Sequence, residues 1–178
     1  MIGNDHIRYI GKDGGWVKIV KLFFTTPGYK YTLIMRLGQS EVLVFRYFFR
    51  FILRFLSRYY GFQIPASAKI GHGLFLGHFG TIVINKEALI GKNCNIAQGV
   101  TIGQSNRGKR KGAPNIGDEV WIGPNSVVVG SVNIGNNVLI GPNSFVNIDV
   151  PPNSIVIGNP CIVTSNELAT EGYINNKV

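Results

Sequence analysis

A period of six constrains this chain more than any other feature. An aliphatic residue recurs at Ile64, Ile70, Leu76 and Ile82. After a two-residue slip, placed at "NKEALIG", it recurs at Ile90, Ile96 and Ile102. After a longer excursion it continues through Ile116, Ile122, Val128, Ile134, Ile140 and Val146. Eight of these thirteen positions are followed directly by glycine, and the residue four places on is usually small or aliphatic, as at Ala68, Leu74, Cys94, Val100 and Val120. Six matches neither the 3.6 of a helix nor the two of a hairpin strand. It fits a short strand, a turn and another short strand, with two residues per unit pointing inward and glycine or asparagine supplying turns at positive φ. One such unit cannot bury its inner face alone, so the units must stack into a solenoid.

Composition narrows the classes. The chain has 178 residues, 45% hydrophobic and only 15% charged. That excludes a disordered chain and fits one domain with a real core. Cys94 and Cys161 are too few and too far apart for a disulfide framework or a zinc cluster. Met1 to Gly15 is polar and glycine-rich, so no secretory leader is expected and a cytoplasmic location is. The net charge of +9 is concentrated: +7 in residues 1–62 and +4 in residues 107–111. A general nucleic-acid binder spreads basic groups over a face with stacking aromatics, so nucleic acid is not an expected partner.

The segments "IGKNCNIAQGVTIG", "IGDEVWIGPNSVVVG" and "IGNNVLIGPNSFV" resemble the hexapeptide repeats of left-handed parallel β-helix acyltransferases, in which three hexapeptides make one triangular coil. The resemblance covers about residues 64–163. It implies a mainly β fold, a left-handed β-helix of about four coils, preceded by a helical segment (1–62), interrupted by an extruded loop and followed by a tail (164–178). "AKIGHGLFLGHFGTIVI", "GVTIG" with the loop after it, and "VPPNSIVIGNP" are closer still to serine acetyltransferases and their polysaccharide-modifying relatives.

In coil numbering, His78, Gln98, Pro124 and Pro142 each lie two residues after an aliphatic position, one coil apart, so they stack along one edge. Rungs about 4.8 Å apart give three steps of roughly 15 Å, the length of a pantetheine arm. The resemblance places acetyl-CoA along such an edge between two subunits of a homotrimer and makes His78 the general base. Imidazole has the pKa to accept an alcohol proton during attack on a thioester. Gln98, Gly103, Gln104, Arg107, Pro124 and Pro142 are the expected acetyl-CoA contacts. His72, six residues earlier, falls on the next corner and is expected to face solvent; His6 carries no signal. A carbonic-anhydrase-type metal site needs three histidines at a subunit interface, and with only His6, His72 and His78 available no metal is expected. The loop "QSNRGKRKGAP" reads as a solvated charged loop or as an arm offering Arg107, Lys109, Arg110 or Lys111 to phosphates.

The resemblance to serine acetyltransferases breaks on the acceptor side. Gln63, Gly77, Lys86, Gly112 and Ala113 stand where charged or histidine residues are expected, and Ile162 where a basic residue often follows the coils. "VINK" looks more like O-acetyltransferases of capsule and exopolysaccharide clusters. The expected acceptor is therefore a hydroxyl on a surface-polysaccharide sugar, with Asn85 and Lys86 as contacts. Serine is the alternative acceptor, and a non-catalytic solenoid is the alternative class.

"EVLVFRYFFRFILRFLSRYY", residues 41–60, reads as a helix with Arg46, Arg50, Arg54 and Arg58 on one slanted stripe. Eleven Val, Leu, Ile or Phe side chains favour insertion by roughly 5 kcal/mol. Up to four arginines at roughly 3 kcal/mol each outweigh them, so the helix does not span a membrane. Two readings stay open: packing against the first coil or another subunit with the arginines outward, or peripheral contact with the inner membrane. Upstream, "WVKIVKLFF" and "YKYTLIMRLG" read as two shorter helices divided at Pro27-Gly28.

Overall fold

A computed structural model describes residues 4–12 and 14–178. Four helices open the chain: α1 (Ile7–Ile10), α2 (Trp16–Thr25), α3 (Pro27–Leu37) and α4 (Leu43–Tyr60). Pro27 begins α3, where its fixed φ suits a first helical turn. Gly61 ends α4 in the left-handed conformation at φ 77°. Short strands follow: β1 (Phe62–Gln63), β2 (Lys69–Ile70), β3 (Ile82–Ile84), β4 (Leu89–Ile90), β5 (Asn95–Ile96), β6 (Thr101–Gly103) and β7 (Asn115–Ile116). They continue through β8 (Trp121–Ile122), β9 (Val127–Val129), β10 (Asn133–Ile134), β11 (Val138–Ile140), β12 (Phe145–Val146), β13 (Ser154–Gly158) and β14 (Cys161–Ser165).

The strands form three parallel faces of one left-handed prism. The first face is β1-β3-β6-β9-β12, the second β2-β4-β7-β10, and the third β5-β8-β11-β13, which the antiparallel β14 closes. All thirteen periodic aliphatic residues are buried, so the six-residue period marks the core directly. The core also takes in Tyr31, Ile34 and Met35 of α3, which joins the helical layer to the first coils.

Register moves the slip. Val83 pairs with Thr101 and Ile84 with Ile102, so Ile84, not Ile82, holds the periodic place in its coil. The two extra residues therefore lie between Leu76 and Ile84, around His78, and not at "NKEALIG". Both Ile82 and Ile84 are buried, so aliphatic spacing alone fits either phase. The first coil is the long one, with Ile70 beside Ile90, whereas Ile116 lies beside Ile134 at the regular eighteen-residue spacing.

Gly73 and Gly99 take positive φ as expected, at 74° and 77°, but the glycines directly after the aliphatic residues serve a different need. Positive φ falls three places after the aliphatic residue, on Asn93, Glu119, Asn125, Asn137 and Asn143, at φ 53–60°. The glycine directly after it is required by close approach. A Cβ on Gly71 would meet the Gly91 backbone at 2.7 Å, and one on Gly91 would meet Gly117 at 2.5 Å.

Candidate active site

His78 lies on the corner between the third and first faces, in the two-residue insertion. Leu76 is buried in front of it and Ile82 behind it, so the segment between must bulge outward. The bulge is tied down at its far end. Gly80 donates its N–H to the Tyr60 carbonyl at 3.0 Å, and Gly99 donates to Thr81 O at 2.7 Å. The end of α4 thus helps to fix the segment that carries the histidine. A Cβ on Gly61 would come within 3.1 Å of the Gly80 backbone, so this junction also needs glycine for space.

His78 is exposed and borders a pocket of about 220 Å³ lined by Phe75, Gly77, Asn95, Ile96, Ala97, Gln98, Trp121 and Pro124. The walls are mostly apolar, and His78 and Gln98 are polar groups converging on it. The buried Gln98 Oε1 has no hydrogen-bond partner. An amide oxygen held away from water without a donor is uncommon. Phe75 and Trp121 were not read from the sequence as site residues. Both precede a periodic aliphatic residue on the third face, so their outward direction was the available signal. Each wall residue is braced from outside. The Tyr9 ring stacks 4.5 Å from Phe75, and Tyr173 of the tail lies 4.8 Å from Trp121.

The other expected site residues divide between places. Pro142 follows Ile140, which pairs with Ile122, so it continues the His78–Gln98–Pro124 edge one rung beyond the pocket. Asn85, Lys86, Gly103, Gln104 and Arg107 lie at or beyond the ends of β3 and β6, on the next corner. Asn85 Nδ2 donates to Gln104 Oε1 at 3.3 Å, and Lys86 approaches Glu87 at 3.7 Å. Within one chain these residues do not line the His78 pocket.

The extruded loop is a small pinned hairpin. Ser105 and Gly112 exchange backbone hydrogen bonds at 2.9 Å, and Ser131 donates to Arg110 O at 2.9 Å. Arg110 pairs with Asp149 at 2.8 Å. The Asn133 N–H and then Arg110 hold the Asp149 carboxyl below its usual range. Arg110 is thereby engaged, while Arg107, Lys109 and Lys111 remain exposed.

His72 occupies the corner between the second and third faces and is half-buried, not open to solvent as expected. The N-terminal residues cover this corner. Arg36 pairs with Asp5 at 2.9 Å, both almost wholly buried, and donates to Ile70 O and Gly71 O at 2.6 and 2.5 Å. Asp5 accepts the Gly73 N–H at 2.7 Å, and Arg8 donates to Gly73 O at 3.0 Å and to Asn95 Oδ1. These groups take the backbone bonds that a preceding coil would otherwise make. Tyr9 extends the cover toward His78: its hydroxyl accepts the Leu76 N–H at 3.0 Å, and burial raises its pKa well above the ordinary phenol range. From the other terminus, Val178 and Asn93 exchange hydrogen bonds at 3.0 and 3.1 Å. Among the described residues, no group of three His, Cys, Asp or Glu side chains could hold a metal ion.

Three stacked faces built on a six-residue period, with an extruded loop and a histidine at an open edge, are the features of hexapeptide-repeat proteins. Residues 113–147 match the family described as bacterial transferase hexapeptide (six repeats). In sequence the chain is similar to serine acetyltransferases. That of Synechocystis is 36% identical over 146 residues, which cover 82% of this chain and 57% of the relative. That of Staphylococcus epidermidis strain RP62A is 40% identical over 113 residues, 63% of this chain and 53% of the relative. The chain therefore spans somewhat over half the length of these relatives. Among solved structures, Neisseria gonorrhoeae serine acetyltransferase in complex with serine has a TM-score of 0.73 at 29% identity, covering 92% of this chain and 67% of that one. The soybean apoenzyme has a TM-score of 0.71 at 27% identity, covering 90% and 66%. These likenesses overturn the expectation of a surface-polysaccharide acceptor: in sequence and in structure the relatives act under the name of serine.

Proposed function

We propose that this chain is an acetyl-CoA-dependent serine O-acetyltransferase. The observation that carries the reading is the His78 edge: an exposed imidazole at the mouth of an apolar groove, with an unpaired amide oxygen one rung below. The groove, lined by Phe75, Ile96, Ala97, Trp121 and Pro124 with Gln98 beside them, suits the pantetheine arm. His78 takes the serine hydroxyl proton as the oxygen attacks the thioester carbonyl. The C–S bond then breaks, and the proton passes from the imidazolium to the departing sulfur. Basic groups on the loop, Arg107 among them, would meet the nucleotide phosphates. The unit that does this is residues 63–163, with residues 1–62 and the tail 164–178 supporting it.

Asn85, Lys86 and Gln104 lie on a different corner from His78, so they can join the site only from a neighbouring chain. A three-fold assembly that sets one chain's edge against the next supplies that arrangement. Gln63, Gly77, Lys86, Gly112 and Ala113 leave serine with fewer charge-assisted bonds, each worth roughly 1.5–3 kcal/mol. A raised KM for serine is the expected consequence. The test is thiol release from acetyl-CoA by the purified protein with and without L-serine, alongside light scattering. Serine-dependent release by a trimer, or a multiple of one, is expected. No serine-dependent release from an assembled, acetyl-CoA-binding protein would overturn the acceptor, and a fully active monomer would overturn the shared site.

A further inference from the structure

The helical layer leaves a large apolar surface uncovered. The stripe of α4 that faces the molecule is Phe49, Ile52, Leu53, Leu56 and Tyr60, all buried or half-buried. On the opposite side Val44, Phe48, Phe51, Phe55 and Tyr59 follow one another at spacings of three and four, so they form one continuous face. Their exposures run from 55% to 81%. Packing of α4 onto α3 and the first coil therefore explains only half of the helix. A second apolar set lies exposed on α2: Trp16, Val17, Val20 and Phe24.

Within α2 and α4 themselves the charge has one sign. Arg50, Arg54 and Arg58 are exposed on one flank of the α4 aromatic face, and Lys18 and Lys21 are exposed on α2. Arg50 donates its Nε–H to Gly38 O at 3.0 Å, and no carboxylate of the described residues pairs with any of these five cations. Residues 1–62 hold ten basic side chains against Asp5, Asp13 and Glu41. Asp5 is consumed internally by Arg36. A second copy docking through the same face would bring arginines against arginines with almost nothing acidic to offset them. An apolar aromatic face flanked by unpaired guanidinium groups is instead complementary to anionic headgroups over acyl chains. No helix among the described residues is long and apolar enough to cross a membrane, so contact is in the plane of the surface.

We propose that the outer face of α4, with the exposed residues of α2, binds the surface of an anionic phospholipid bilayer. The aromatic rings enter the interface and the arginines reach the phosphates, as long cationic side chains do. This proposal is independent of the acetyl-transfer reading, because no residue in it lines the His78 pocket.

The test is co-sedimentation of the full chain with vesicles of phosphatidylcholine alone and of phosphatidylcholine with phosphatidylglycerol, at low and high salt. Binding is expected only with phosphatidylglycerol and should weaken with salt. Arg54→Gln and Arg58→Gln should each weaken it roughly fivefold, the effect of about 1 kcal/mol per basic residue at such a surface. Phe51→Ser with Phe55→Ser should abolish it while leaving the melting temperature and serine-dependent thiol release unchanged, since both rings are already exposed. Absence of binding to anionic vesicles overturns the proposal, as does binding that the variants leave unchanged. A smaller particle in light scattering for the Phe51/Phe55 variant, without lipid dependence in the parent, would identify the face as an interface between copies and overturn it too.

Discussion

His72 and His78 lie six residues apart, on adjacent corners of the same first coil, yet their surroundings are opposite. The His72 corner is closed. Asp5, Arg8 and Arg36 take its backbone groups, Asn93 lies beneath it, and the imidazole Nδ1 is buried without a partner. The His78 corner is open, widened by two residues, and borders a pocket. The repeat treats the corners alike, so the difference comes from what the rest of the chain lays over each. A corner covered by an ion pair and its hydrogen bonds becomes a structural joint, and a corner left bare can receive a substrate.

The sharpest way to break this comparison is to remove each histidine in turn. His78→Ala should lower turnover by about 10²–10⁴-fold, the usual contribution of a general base, with the melting temperature nearly unchanged. His72→Ala should change turnover far less. Equal losses would mean that both corners serve the reaction.

Next in size is the joint itself. Arg36→Leu leaves Asp5 as an unpaired buried charge and strips donors from Ile70 and Gly71, so it should cost about 3–5 kcal/mol in denaturant unfolding. Adding Asp5→Leu should recover part of that loss, because the orphaned charge goes with it. A single variant as stable as the parent would show that the ion pair does not hold the corner closed.

The smallest effect is alkaline. Cys94 lies on the closed corner one rung below, and burial pushes its thiol up to about 12. Burial also raises the Tyr29 and Tyr31 phenols. These acids ionise first in the unfolded chain, which therefore binds fewer protons above about pH 9, so stability falls as pH rises beyond that point. Cys94 alone should account for roughly 2 kcal/mol by pH 10. Thermal melts of the parent and Cys94→Ala across this range should differ in slope. Parallel curves would show that the thiol titrates normally and that the corner admits water.

The solenoid was legible because its signal repeats: inward aliphatic residues return often enough to survive a slip and an inserted loop. The edge that carries His78, Gln98 and Pro124 followed from counting. The position of the slip did not, since Ile82 and Ile84 are equally apolar and only pairing with Thr101 and Ile102 separates them. Nor was the closed corner visible. Asp5, Arg8 and Arg36 occur once each, in segments without a period, and their partners are backbone groups more than thirty residues away. The polysaccharide acceptor was inferred from missing charges, and the likeness to serine acetyltransferases speaks against it; a site can hold the same ligand with fewer charges. The outer face of α4 was half legible: the arginine stripe could be read, but the exposure of Phe48, Phe51 and Phe55 depended on where α3 lies.

The antiparallel β14 has a consequence for growth. A stack of identical rungs has no intrinsic last member; its final edge is a template for the next coil, whether from the same chain or another. By reversing direction on one face only, the chain leaves parallel edges on two sides and an antiparallel one on the third. No coil of this repeat can match all three at once. At this end, a fold whose local rule is endless extension is thus made finite by a single strand that runs the wrong way.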